Sequence, residues 1–150
     1  MLGRLARWLR LLGYDTEYFP HIEDGRLIRL AREQGRMLLT RDTRLVKRRG
    51  LKDFLLLSEN DTFEQLRNVI RTFNLTPRAE ANELKTLPVL GRCSLCNIVL
   101  DIIPKEHAKA HVPEYVYLTS DSFKRCSKCG RFYWKGTHSE KMREKLREIL

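Results

Sequence analysis

Leu38-Leu39-Thr40-Arg41-Asp42 is a brief apolar run that ends abruptly in a cation and a carboxylate. With Arg36 and Met37 in front, the run is too short for an ordinary helix and reads as a buried strand over 36–40. Asp42 then caps a short helix with Leu45 and Val46 inside and Lys47, Arg48 and Arg49 at its basic end. A second apolar run, 54–57, follows a glycine-containing turn, and Asp61-Thr-Phe-Glu64 opens another helix with a capping-box pattern. Upstream, Asp24 is placed to cap a helix through Leu27, Ile28, Leu30 and Ala31 to Gly35. Residues 14–19, rich in aromatics and Thr and closed by Pro20, read as a strand. Leu2, Leu5, Ala6, Trp8, Leu9 and Leu12 recur at helical spacing up to Gly13. Helices alternating with short strands imply an α/β unit with a parallel sheet flanked by helices. Residues 73–88 carry Pro77 and Pro88 without periodicity. The expected organisation is therefore a first domain over 1–76, a linker over 77–90 and a second domain over 91–150, closed by a charged helix from about Ser139.

The 150 residues hold 29 Lys and Arg against 19 Asp and Glu, a net charge of +10. That excess favours an anionic partner, nucleic acid first. It is uneven: residues 1–50 hold 12 cations and 6 acids, and residues 93–150 hold 11 and 7. Two basic ends flank a neutral middle, which suggests two contact surfaces. The apolar content of 42% is enough for a modest core and argues against disorder. Arg4, Arg7 and Arg10 interrupt every apolar run near the start, and no stretch has the length of a membrane span. A soluble, cytoplasmic protein is the expectation, with no membrane partner.

Cys93-Ser-Leu-Cys96 and Cys126-Ser-Lys-Cys129 are two C-x-x-C knuckles with 29 residues between them. A two-residue gap lets both thiolates of a pair face one point, and four soft thiolates in a tetrahedron favour structural zinc. Paired spacing is far more specific than a single redox-type C-x-x-C. Residues 98–103 and 115–118 are apolar enough to form a hairpin between the knuckles. His107 and His111, spaced i and i+4, are a rival ligand pair made unnecessary by four cysteines.

Asp42 follows a strand and Asp24 opens a helix after one, positions where open α/β sheets bind ligands. Two carboxylates there can hold Mg²⁺ or Mn²⁺, which activates water and neutralises charge on a phosphodiester. Both positions also suit plain helix caps. Arg4, Arg7, Arg41, Arg48 and Arg49 are candidates to hold phosphates, as are Lys124, Arg125 and Arg131 in the ribbon. Phe132, Tyr133 and Trp134 interleave with these last cations. They read either as base-stacking faces or as a small core around the knuckles.

Met1-Leu-Gly-Arg-Leu-Ala-Arg-Trp-Leu-Arg-Leu-Leu-Gly-Tyr-Asp15 resembles the opening helix of the Mut-seven C-terminal RNase domain, a PIN-like nuclease family. Leu38-Leu-Thr-Arg-Asp42 resembles its strand-and-aspartate motif, and Arg92-Cys-Ser-Leu-Cys-Asn97 its first knuckle. Phe123 through Cys126, Cys129, Gly130, Arg131, Tyr133, Trp134, Gly136, Thr137 and His138 resemble the second knuckle and its tail. The resemblance implies a PIN-like α/β domain fused to a zinc ribbon. It further implies metal-dependent endoribonuclease activity on RNA, with Asp24 and Asp42 as catalytic carboxylates. Family members usually carry a strand ending in an aspartate just before the Met-Leu-Gly segment, which here begins at Met1. With that carboxylate outside the chain, a non-catalytic RNA-binding protein is the alternative.

Overall fold

A computed structural model describes residues 2–75 and 90–149, though not the side chain of His138. The expected linker over 77–90 lies, apart from Leu90, outside the described residues. The chain forms two units: Met1–Leu5 with Tyr18–Leu75, and Ala6–Glu17 with Thr76–Leu150. Helix α1 (Gly3–Leu11) is divided between them. Its end follows from Gly13, whose positive φ lets its N–H return to Arg10 O while Tyr14 N–H reaches Leu9 O.

The first unit also holds α2 (Asp24–Glu33), β1 (Leu38–Thr40), a 3-10 turn (Leu45–Lys47), β2 (Phe54–Leu56) and α3 (Thr62–Thr72). β1 and β2 pair in parallel, Leu38 opposite Phe54 and Thr40 opposite Leu56, as two apolar runs joined through a helical crossover should. Ile28, Ala31, Leu38 and Leu45 form a buried cluster covered by Leu27 and Leu51. Helix α3 starts at Asp61, whose carboxylate accepts from the N–H groups of Phe63 and Glu64. It buries Leu66, Val69 and Ile70.

Two readings of this region change. Asp24 makes no side-chain cap; it is the first residue of α2, where its charge favours the positive end of the helix dipole. Residues 14–19 form no strand. Their backbone is satisfied by side chains instead: Thr16 N–H donates to Asn97 Oδ1 at 2.9 Å, and Thr16 O accepts from Arg10 Nε at 2.8 Å.

The second unit contains a three-stranded antiparallel sheet in the order β3 (Asp101–Ile103), β4 (Phe123–Arg125), β5 (Phe132–Trp134). Between β3 and β4 lie α4 (Lys105–Ala108) and α5 (Glu114–Thr119), and α6 (Thr137–Ile149) closes the chain. The hairpin expected from 115–118 is therefore helix α5. Val116, the buried residue of α5, packs with Ala108 at the end of α4 and with Phe123, and Val112, Phe132 and Trp134 cover them. Pro113 stands at the start of α5, and the burial of Val116 outweighs the β propensity of the stretch. Together the units make a mixed α/β protein with a small parallel sheet, an antiparallel sheet and a four-cysteine cluster consistent with a zinc ribbon.

Candidate functional site

Each knuckle is a tight turn that aims two sulfurs at one point. Cys96 N–H donates to Cys93 Sγ, and Cys129 N–H to Cys126 Sγ, both at 3.4 Å. The residue after each pair, Asn97 or Gly130, takes a positive φ of 67° or 76° and returns its N–H to the first cysteine's carbonyl. All four sulfurs lie within 4.8 Å of one another, and Cys93 and Cys129 Sγ are 3.8 Å apart. A tetrahedron with Zn–S bonds of about 2.3 Å has edges of about 3.8 Å, so the donor set fits zinc. It offers four protein ligands and no open position, the pattern of a structural site.

The surroundings favour thiolate where it matters first. Burial raises the Cys93 thiol, but the Tyr133 hydroxyl and the N–H groups of Cys96 and Leu95 outweigh it and bring it to about 6. Burial and the neighbouring Cys129, Cys126 and Cys93 push Cys96 up to about 12, and burial also raises Cys126. Four thiols this close cannot all ionise without a cation among them, which is the electrostatic counterpart of the geometry. Of the two roles open to Tyr133, the structure gives it the one beside the knuckles. Its hydroxyl donates to Cys93 Sγ at 3.3 Å and accepts from Ser94 N–H at 3.1 Å.

Asn97 was missed in the sequence. It is buried, and besides holding Thr16 N–H its Nδ2 donates to Asp15 Oδ1 at 2.7 Å. Arg10 is also buried, and its Nη1 donates to the carbonyls of Ser94 and Leu95 at 2.9 and 3.3 Å. The end of α1 is finished by the same neighbourhood: Leu90 and Gly91 donate to Leu11 O, and Arg92 to Arg10 O. A Cβ on Gly91 would sit 2.6 Å from Gly13 Cα, so this approach needs glycine. One signal was available in the sequence: positions 13 and 91, at the two sides of this approach, both carry glycine.

In the first unit, Asp42 stands two residues beyond β1. Its Oδ1 accepts from Arg44 N–H at 2.8 Å and Leu45 N–H at 3.2 Å, while its own N–H donates to the buried Thr40 Oγ1. Among the described residues Oδ2 has no hydrogen-bond partner. Asp24 lies 4.0 Å from Arg48 Nη1, half-exposed, and Arg41 bonds Asn60 Oδ1. Arg4, Arg7 and Arg49 are exposed. Of the ribbon cations, Lys124 Nζ is engaged with Leu90 O, whereas Arg125 and Arg131 are exposed. Among the described residues, the four cysteines are the only group of three or more His, Cys, Asp or Glu side chains gathered closely enough to hold a metal.

A unit with a small parallel sheet, and a unit with an antiparallel sheet and four cysteines positioned to bind a metal, define a mixed α/β protein with a candidate zinc ribbon. The chain belongs to the Mut7-C RNAse domain family, whose family model matches residues 1–146. No curated protein and no solved structure matches it. Membership gives the chain a nuclease- or RNA-related role and ties it to RNA. No helix among the described residues is long and apolar enough to cross a membrane.

Proposed function

We propose that the protein is a metal-dependent endoribonuclease of PIN-like type, with Asp42 and Asp24 as its carboxylates. The observation that supports this most is the state of Asp42. It sits past a parallel strand, with one oxygen fixed by two backbone N–H groups and the other left for a ligand. Mg²⁺ characteristically takes only one or two carboxylates and completes its shell with water and substrate phosphates, so a sparse donor set suits it. Held there, Mg²⁺ or Mn²⁺ would polarise the phosphodiester and activate water. Arg48 beside Asp24, with Arg41 and Arg49, supplies cations for the phosphates of the bound strand, and Arg4 and Arg7 extend the basic surface.

A second reading, RNA binding without cleavage, draws on a specific observation. No third ligating side chain joins Asp24 or Asp42 among the described residues. One experiment decides between them. The purified protein is given a labelled RNA oligonucleotide with Mg²⁺, with Mn²⁺ and with chelator, beside Asp42→Asn. Asparagine keeps the capping oxygen and removes the charge. Metal-dependent cleavage that falls at least 100-fold in the variant, at unchanged melting temperature, supports the nuclease. Retention of RNA without cleavage supports the binder. Cleavage untouched by the substitution would remove Asp42 from the chemistry.

A further inference from the structure

The two knuckles repeat one backbone at an offset of 33 residues, Cys93 to Cys126. Cys93 N–H meets Ile98 O and Cys126 N–H meets Arg131 O, each at 2.9 Å. The pairing of Arg92 with Val99 recurs as that of Arg125 with Phe132. Equal backbones invite comparison of what each face holds.

The first face is occupied by the chain itself. The carbonyls of Ser94 and Leu95 hold Arg10, and Asn97 holds Thr16 N–H and the carboxylates of Asp15 and Glu17. In the second knuckle the equivalents of Leu95, Asn97 and Ile98 are Lys128, Gly130 and Arg131. These two cations, the adjoining Arg125 and Cys129 are all exposed. Among the described residues, none of the three cations makes a side-chain hydrogen bond or an ion pair. Asp101 faces Arg125 across the β3–β4 register without pairing with it. Arg125 is oriented rather than free-swinging: its guanidinium lies 5.4 Å from the Phe132 ring centroid and against Gly130.

The aromatics beside these cations are already committed. Phe132 stacks on His111 with centroids 4.9 Å apart and carries Arg125; Tyr133 is tied to Cys93 and Ser94; Trp134 packs on the core of Ala108, Val116 and Phe123. Each half-buried ring of this stretch already has a partner, and the three cations around them are left exposed.

We propose that the second knuckle, through Arg125, Lys128 and Arg131, grips the sugar–phosphate backbone of single-stranded RNA and reads no bases. The inference rests on the RNA reading above and deepens it, because contacts to phosphate position a strand without carrying sequence information.

The test uses the full zinc-loaded chain and fluorescent oligonucleotides rU and rA of equal length, titrated across salt. Lys128→Gln/Arg131→Gln should weaken both RNAs by the same factor. It should also flatten the slope of log affinity against log salt by about 0.7 per lost contact. Lys141→Gln, an exposed cation on α6, should change the slope at neither RNA. Wild-type affinity and slope in the double variant would overturn the proposal while leaving the RNA reading standing. So would a loss that differs between rU and rA. Failure of the wild-type chain to bind either RNA at low salt would bring down the RNA reading and this proposal together. Zinc content and melting temperature confirm that each variant is folded.

Discussion

Gly91 and Gly13 show how much can turn on one missing methyl group. Their backbones approach so closely that a methyl at 91 meets Gly13 Cα at 2.6 Å, with no flexible side chain able to yield. Gly91→Ala should therefore destabilise the protein by about 1–3 kcal/mol, the range for a forced insertion into packed structure. Chemical denaturation checks this, and an unchanged midpoint would refute it. At the same scale, the sequence was legible where a residue's duty is local. Gly13 as a helix stop, Asp61 as a cap and Asp42 at a strand end are all read from immediate neighbours. It was illegible where the duty is distant. Arg10 looks like its neighbours Arg4 and Arg7, yet it is buried because its acceptors, Ser94 and Leu95, come from 84 and 85 residues away.

Among the elements, the four-thiol centre holds the second unit's key connections in place. Zinc takes cysteine as thiolate, so uptake must displace whatever protons remain. At pH 7 Cys93, near 6, is already mostly ionised, while Cys96, near 12, and Cys126, also raised, still carry theirs. Zinc binding should thus release at least those two protons, and zinc affinity should fall as pH falls. Calorimetry in buffers of different ionisation enthalpy measures this; uptake without proton release would contradict it. Because Asn97 and the carbonyls of Ser94 and Leu95 belong to the first knuckle, chelation should also free residues 10–17. The Thr16 amide, bonded to Asn97, should lose its protection in hydrogen exchange when chelator is added. Persistent protection would show that the loop stands without the metal. The same elements show where propensity misleads. Residues 14–19 and 115–118 have β-forming side chains, but one is fastened by Asn97 and Arg10, and the other follows Pro113 as a short helix that buries Val116. Pro113, which stands at the start of α5, was present in the sequence. The partners of Thr16 were not adjacent enough to be seen.

Across the whole molecule, the second unit is assembled from two stretches of chain, Ala6–Glu17 and Thr76–Leu150, with most of the first unit encoded between them. That interleaving has a consequence in time. During synthesis, at about 5–20 residues per second, Arg10 waits roughly 4–17 s for its acceptors at Ser94 and Leu95 to be made. A helix of 9 residues is too short to persist alone in water. Leu9 and Leu12, buried in the finished protein, therefore spend that interval as exposed apolar side chains on a nascent chain. Residues made long before their partners are thus among the last to find their places. Newly made chains should then depend on holding chaperones and on zinc supply for their yield far more than the mature fold, once closed, depends on either.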